Sequence, residues 1–263
     1  MKLVRNAIAA ALLLAGSVGS SFAAETAEPV QIQAPTPTAT VVLVHGAFAD
    51  GSSWNAIIPL LQAKGLKVVA VQNPLTSLAD DVAFANRAID AQEGPVVLVG
   101  HSWGGSVITQ AGINDKVKSL VYVAAFAPSV GQTSLDGVKK FKPAPGLAHP
   151  IADAQGFLTL SPETVANDFA QDLSPQQANL IATTQGAVRG ANFTETLTAA
   201  AWQSKPSHYI VAEQDRMIQP DAQRAFAKKI KAHVTTLATS HVPMLSKPRE
   251  VAEVIAAVAS AGK

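Results

Sequence analysis

The chain has 263 residues, of which 48% are hydrophobic and 15% charged. This length and composition suit one globular domain with a sizeable core and exclude extensive disorder. The 20 Lys and Arg residues nearly balance the 19 Asp and Glu residues, for a formal net charge of +1. No basic patch for a nucleic acid is visible, so no nucleic-acid partner is expected. The absence of Cys excludes disulfides, Cys nucleophiles and thiolate metal sites.

Residues 1–23 have the layout of a secretory signal peptide. Two basic residues precede an apolar run at 8–18, and small residues precede a cleavage position after Ala23. The apolar run is too short to span a bilayer, so no stable membrane anchor is expected. The sequence therefore predicts a periplasmic or secreted protein in which residues 24–39 form a flexible leader.

Short apolar runs alternate with helical patterns along most of the remaining chain, at residues 40–263. Strands are predicted at 41–44, 67–71, 95–99, 117–125, 208–212 and 234–237, and helices at 54–64, 77–92, 103–112, 221–231 and 249–261. This alternation indicates an α/β fold with a mainly parallel six-stranded sheet and helices on both faces. This alternation of strands and helices stops at about 128–205, where helical patches and Pro residues predict an inserted helical cap.

The strongest chemical signal is the segment Gly100-His101-Ser102-Trp103-Gly104, between a predicted strand and a predicted helix. A Ser at such a corner has a strained backbone and needs small neighbours, which Gly100 and Gly104 supply. The turn lifts the hydroxyl above the carboxyl edge of the sheet, where ligands of α/β proteins bind. Ser102 is therefore the predicted nucleophile, and an ordinary strand-to-helix loop is the alternative.

Acyl transfer by a Ser needs two N–H donors aimed at the developing oxyanion. The backbone N–H of Trp103, directly after the nucleophile, is one candidate. The other is the N–H of Ala47, in the loop that follows the first predicted strand. A tight loop without a catalytic role is the alternative for Ala47.

Among the six His residues, His241 is the predicted general base. It follows the last predicted strand, which is where this arrangement places the base. His208 and His233 lie at the opposite end of their strands. His101 flanks the nucleophile too closely to reach back to its hydroxyl, and His149 falls in the predicted cap.

The acid that orients this base should follow the preceding strand, where the sequence has Glu213 and Asp215. Asp215 is the predicted acid and Glu213 the second candidate. A buried carboxylate at this place would fix the imidazole tautomer and stabilise the imidazolium. An Asp that merely caps a turn is the alternative for Asp215.

Four segments, at 42–48, 100–105, 215–220 and 240–248, together resemble the α/β-hydrolase superfamily. The closer similarity is to the branch that contains plant methylesterases, hydroxynitrile lyases and related bacterial esterases, in which a Trp often lies where this chain has Trp54. In that branch the lyases resemble esterases with a Lys directly after the catalytic His. This chain has Val242 there, so the resemblance implies an esterase that requires no metal or organic cofactor.

The sequence therefore predicts a serine hydrolase that cleaves a small-molecule carboxylic ester through a covalent acyl-enzyme. Phe48, Trp54 and Phe126 are expected to line an apolar substrate pocket, with core packing as the alternative for the last two. The same triad would serve a lactonase, an amidase or a perhydrolase. From a different class, the alternative is a ligand-binding protein on a hydrolase scaffold. A Ser nucleophile argues against haloalkane dehalogenation, which uses an Asp at that position.

Overall fold

The computed structural model describes residues 39–261. The predicted signal peptide, and the predicted leader except its last residue, lie outside the described residues. The strands are β1 (Thr40–Val44), β2 (Lys67–Val71), β3 (Val96–His101), β4 (Val117–Val123), β5 (Ile151–Ala152), β6 (Phe157–Thr159), β7 (Val188–Arg189), β8 (Ser207–Ala212) and β9 (His233–Leu237). The helices are α1 (Ile58–Gln62), α2 (Leu78–Asp90), α3 (Gly104–Ala111), α4 (Pro162–Thr164), α5 (Pro175–Thr184), α6 (Pro220–Lys229), α7 (Pro243–Ser246) and α8 (Pro248–Ala261). Within the described chain, every helix falls short of the length and apolarity needed to cross a membrane.

The main sheet has six parallel strands in the order β2-β1-β3-β4-β8-β9, which confirms the predicted α/β architecture. Every residue of β1 and of β3 is buried. Apolar runs of this kind form where helices cover both faces of a parallel sheet. The outer strand β9 is more exposed, as its mixed sequence at 233–237 indicates.

The helix predicted at 54–64 is shorter in the structure. A 3₁₀ turn at Gly51–Trp54 comes first, capped by Asp50, whose carboxylate accepts a hydrogen bond of 2.8 Å from the Ser52 N–H. The α-helix begins only at Ile58, with Pro59 in its first turn. Pro restricts the backbone of the residue before it and lacks an N–H, so it favours the start of a helix over its interior.

The insertion between β4 and β8 contains more than the expected helices. Besides α4, a π-helical turn at Val165–Phe169 and α5, it has an antiparallel sheet in the order β5-β6-β7. The turn between β5 and β6 depends on Asp153, whose Oδ1 accepts hydrogen bonds from the N–H groups of Gln155 and Phe157 at 2.9 and 2.8 Å. Strands of two or three residues are too short to show an alternating pattern, which is why the sequence did not reveal them.

Candidate active site

Ser102 lies in a sharp turn between β3 and α3, at the carboxyl edge of the main sheet. Its φ is 52°, in the left-handed region that is unfavourable for a side chain with a Cβ. The turn brings Gly100 and Gly104 so close that a Cβ on Gly100 would lie 2.5 Å from the Gly104 carbonyl oxygen. A Cβ on Gly104 would collide with the carbonyl oxygen of Val44. The two Gly residues of the predicted motif are therefore required by close backbone approach.

The structure brings together all three residues of the predicted triad. The Ser102 Oγ and the His241 Nε2 are 2.8 Å apart, and the His241 Nδ1 lies 2.7 Å from the Asp215 Oδ2. The side chains of His241 and Asp215 are only 1% and 0% exposed. A neutral imidazole protonated on Nδ1 donates to the carboxylate and accepts the Ser hydroxyl proton on Nε2. This arrangement can remove a proton from Ser102.

Asp215 is fixed by donors of its own loop and of the next helix. Its Oδ1 accepts hydrogen bonds from the N–H groups of Met217 and Ile218, at 2.7 and 2.9 Å. Its Oδ2 accepts a further bond of 2.7 Å from the Nε2 of Gln223 on α6. The second candidate for the acid, Glu213, is exposed and faces Arg224 instead. Of the two candidates, Asp215 is therefore the one that contacts His241.

Gln223 is a site residue that the sequence analysis did not identify. It is fully buried, and its Oε1 accepts a hydrogen bond of 3.0 Å from the Ala212 N–H at the end of β8. Its amide group thus joins the strand to the carboxylate of Asp215. The sequence signal that could have identified Gln223 is its position on the buried side of α6, together with Ala222, Phe226 and Ala227.

Of the other His residues, two support the backbone of the site. His101 Nε2 donates to the carbonyl oxygen of His241 over 2.8 Å, and burial lowers the pKa of His101 well below its ordinary value. His45 donates from Nδ1 to the Gly46 carbonyl oxygen and accepts the Asn73 N–H on Nε2. Burial also lowers the pKa of His45, so both rings are neutral structural links at neutral pH.

The remaining His residues form no hydrogen bond with the serine in the described part of the chain. His208 and His233 stack at the opposite end of the main sheet, with ring centroids 4.9 Å apart. His149 is exposed in the insertion. His241 is thus the His residue whose ring contacts the Ser102 hydroxyl.

Both predicted oxyanion donors flank the serine. Ala47 lines the same cavity as Ser102, and Trp103 is the first residue after it, at the start of α3. Neither of these two N–H groups donates a hydrogen bond to another residue in the described range. Two unpaired N–H groups beside a nucleophile can donate hydrogen bonds to an oxygen that develops a negative charge, and the N-terminal end of α3 adds a favourable dipole.

A small cavity, named here the serine cavity, opens above the nucleophile. Its volume of about 10 Å³ is close to the space that one water molecule needs. It is lined by Ala47, Phe48, Ser102, Phe126, Leu147, Phe193, Met217, Ile218 and His241. A side cavity of about 80 Å³ shares Phe126, Leu147, Met217 and Ile218 with it. The walls of both cavities are mostly apolar.

Phe48 and Phe126 line the serine cavity as predicted, whereas Trp54 does not. Trp54 is fully buried, and its ring packs edge-on against the ring of His101 with 6.3 Å between the centroids. The sequence analysis missed Leu147 and Phe193, which come from the insertion. A larger cavity of about 420 Å³ lies beyond Phe169 and shares no lining residue with the serine cavity.

Residues 39–261 contain no group of three or more His, Asp or Glu side chains placed to bind a metal ion. The side chains of Ser102, His241 and Asp215 are instead hydrogen-bonded to one another. The arrangement is thus organised for proton transfer and for stabilising an anion.

Comparisons with known proteins identify the family of the chain. Residues 41–254 match the model of the alpha/beta hydrolase family. The chain is 32% identical to a probable hydrolase R7 of Phoma sp. over 83% of its own length and 97% of the relative's. It is 24% identical to methylesterase 2 of Arabidopsis thaliana over 83% of its length and 95% of that protein's. A crystal structure of a pyrethroid hydrolase, 24% identical, superposes with a TM-score of 0.75 over 86% of this chain and 98% of that one. The chain therefore belongs to the α/β-hydrolase family.

Proposed function

We propose that this protein is a serine esterase that hydrolyses small, apolar carboxylic esters through a covalent acyl-enzyme. In this proposal Ser102 is the nucleophile, His241 the general base and acid, and Asp215 the residue that orients His241. The observation that carries the proposal is the buried chain of hydrogen bonds from Asp215 through His241 to Ser102, at 2.7 and 2.8 Å. The esterase name of the Arabidopsis relative supports the choice of bond.

The first half of the reaction transfers the acyl group to Ser102. As the Oγ bonds to the ester carbonyl carbon, its proton passes to the His241 Nε2, and the carbonyl oxygen becomes an oxyanion between the N–H groups of Ala47 and Trp103. Asp215 stabilises the imidazolium through its bond to Nδ1. His241 then gives the proton to the departing alkoxide, which leaves as the alcohol while the acyl-enzyme remains.

The second half removes the acyl group with water. His241 takes a proton from the attacking water, and the new tetrahedral oxyanion is bound by the same two N–H groups. Collapse of this intermediate breaks the bond between the carbonyl carbon and the Ser102 Oγ. The Oγ receives the proton from His241, and the carboxylic acid is released.

The lining of the site favours a short, uncharged substrate. The serine cavity of about 10 Å³ and the side cavity of about 80 Å³ have four apolar lining residues in common. No Lys or Arg lines the serine cavity. One Lys, Lys142, lies at the side cavity, whose other lining residues are apolar except Gln219. A short alkyl or acyl group matches this space better than a long chain or an anion.

A fluorophosphonate probe, which reacts covalently with activated Ser hydroxyls, tests the nucleophile. We expect labelling of the wild type and of Ser260→Ala, which makes the same change at an exposed Ser of α8. We expect none in Ser102→Ala. Labelling that persists in Ser102→Ala would show that another residue is the nucleophile. Folded wild type that does not react would favour a ligand-binding protein on a hydrolase scaffold.

The same proteins are then assayed on p-nitrophenyl acetate, butyrate, octanoate and laurate, beside a lactone and an anilide. We expect the highest kcat/KM for one of the two short esters and loss of turnover in His241→Ala. A preference for laurate would overturn the assignment of a short apolar substrate. A preference for the lactone or the anilide would replace the ester by that bond while retaining the triad.

A further inference from the structure

Asp81 is a second buried carboxylate near the serine, outside the triad. It lies in the first turn of α2 and is fully buried. Its Oδ1 accepts the Leu75 N–H at 2.8 Å, and its Oδ2 accepts the indole Nε1–H of Trp103 at 2.7 Å. In the part of the chain that the structure describes, Asp81 forms no ion pair. A buried carboxylate without a cation is costly, and such groups concentrate at functional sites.

The charge state of Asp81 depends on this environment. Burial raises its pKa to about 6, opposed by the hydrogen bonds from Trp103 and Leu75 and assisted by the negative charges of Asp80 and Glu195. Both hydrogen-bond partners can only donate. The ionised carboxylate accepts from both, whereas a protonated one would carry an O–H with no acceptor among these two partners. At neutral pH the ionised form predominates.

The first partner connects Asp81 to the oxyanion donors. The backbone N–H of Trp103 is one of the two groups proposed above to bind the oxyanion, and the same residue offers its indole to Asp81. The Trp103 ring is fully buried and packs edge-on against Phe193, with 5.4 Å between the centroids. Phe193 in turn lines the serine cavity. The position of the indole therefore affects both a backbone donor and a cavity wall.

The second partner connects Asp81 to the insertion. Leu75 has a φ of 60°, a strained conformation that the bond from its N–H to Asp81 helps to hold. The Leu75 carbonyl oxygen accepts hydrogen bonds from the Arg189 N–H at 2.9 Å and from the Asn192 Nδ2 at 3.0 Å. Asn192 directly precedes Phe193. The loop held by Asp81 thus anchors the segment that forms one wall of the serine cavity.

We propose that Asp81 is a positioning residue that aligns the Trp103 N–H with the oxyanion and places Phe193 over the serine. This inference rests on the proposed esterase function and assigns a further residue to it. Asp81 touches neither Ser102 nor the serine cavity, so it acts only through its two partners. Alignment of an oxyanion donor matters in the transition state more than in the bound substrate, and its loss lowers kcat more than it changes KM.

The test measures kcat and KM of Asp81→Asn, Trp103→Phe and the double variant on a short p-nitrophenyl ester. Asp81→Asn leaves one acceptor oxygen, which we expect to stay with the Leu75 N–H, so that the bond from the Trp103 indole is lost. Trp103→Phe removes the same bond from the other side and retains an aromatic ring. We expect each to lower kcat by about tenfold, less than full removal of an oxyanion donor, with KM within about twofold. We expect no further loss in the double variant, because one interaction cannot be lost twice. Asp80→Asn, an equal charge change at an exposed position of α2, is the matched control and should retain wild-type kcat.

The pH profile of kcat gives a readout that a merely structural role would not move. In the wild type, the ionisation of Asp81, with a pKa of about 6, should contribute to the fall of kcat at acidic pH. Asp81→Asn should remove this ionisation from the profile. The groups that face the carboxylate besides its partners, Asp80 and Glu195, remain in that variant. Asp80→Asn should retain this ionisation, at a slightly lower pKa because one of the negative charges that raise the pKa of Asp81 is removed.

Three outcomes would overturn the proposal. One is wild-type kcat in Asp81→Asn, and another is a double variant whose loss equals the product of the two single losses. If Asp81→Asn does not fold, Trp103→Phe decides, and wild-type kcat in that variant is the third. A wild type without turnover or labelling instead contradicts the esterase function, so the two failures are distinguishable.

Discussion

Two buried carboxylates at the carboxyl edge of the sheet, Asp215 and Asp81, have very different surroundings. Asp215 accepts four hydrogen bonds, from two backbone N–H groups, Gln223 and His241. Asp81 accepts two, from a backbone N–H and an indole. One partner of Asp215, His241, becomes a cation in the proposed reaction, whereas neither partner of Asp81 can.

The difference teaches how the same side chain can serve two purposes. A carboxylate with many donors and a His partner is prepared to stabilise a charge that appears beside it. Two neutral donors offset only part of the cost of removing a carboxylate from water. The pKa of Asp81 therefore rises to about 6. Asp215 is placed to act on the imidazole, and Asp81 is placed to hold two segments together.

The largest expected effect comes from removing the charge of Asp215. Asp215→Asn should lower kcat by about 10⁴-fold, because the amide no longer favours the imidazole tautomer that accepts the Ser102 proton. Steady-state kinetics on a short p-nitrophenyl ester measures the loss. Since Asp81→Asn is expected to cost only about tenfold, equal losses in the two variants would remove the distinction between orienting the base and positioning the oxyanion donor.

The second prediction concerns stability and its dependence on pH. The folded-state pKa of Asp81 is raised from 3.8 to about 6, so the folded protein binds this proton more tightly than the unfolded chain does. As pH rises through this interval, the contribution of Asp81 to the free energy of unfolding should therefore decrease by at most about 3 kcal/mol. Above the interval this contribution should stay level. Urea unfolding of wild type and Asp81→Asn across this range isolates the effect.

Asp80 supplies a control of opposite sign. Hydrogen bonds from Thr76 and Ser77 lower the pKa of this exposed carboxylate, so its contribution to stability is present at neutral pH and is lost on acidification. Asp80→Asn should leave the decrease assigned to Asp81 in place. A wild type and an Asp81→Asn variant with parallel pH dependences would contradict the raised pKa.

The smallest expected effect concerns Gln223, which supports Asp215 from α6. Gln223→Met retains a similar shape but removes the donor to Asp215 and the acceptor for the Ala212 N–H. We expect kcat to fall by about tenfold and the free energy of unfolding to fall by about 1–3 kcal/mol, since a buried N–H is left without a partner. Kinetics and urea unfolding measure both. The matched control is Gln203→Met at an exposed position, and unchanged kcat in Gln223→Met would show that the loop alone orients Asp215.

The sequence was sufficient for those parts of the site that follow strand ends. Ser102 and Asp215 follow readable apolar runs, and His241 follows the shorter, mixed run of β9. Parallel strands bring their carboxyl ends to one edge. Asp81 and Gln223 were not found, although both occupy the apolar face of an otherwise amphipathic helix. A polar residue on the buried face of a helix is therefore a signal worth following, because burial obliges it to find a partner.

The insertion was harder to predict for a different reason. Its strands have only two or three residues. Its contribution to the serine cavity comes from Leu147 and Phe193, which lie in two separate 3₁₀ turns of three and five residues. Segments this short cannot show a periodic pattern of apolar residues. The positions of these two side chains follow from tertiary contacts, such as the bond from Asn192 to Leu75, rather than from local pattern.

The strand order has a consequence for how the protein must acquire activity. Ser102 follows β3 and His241 follows β9, the third strand along from it in the sheet and the last in the chain. No early folding intermediate that lacks the final strand can possess both groups in contact. Regain of turnover during refolding should therefore report completion of the whole sheet, and such long-range pairing is intrinsically slow.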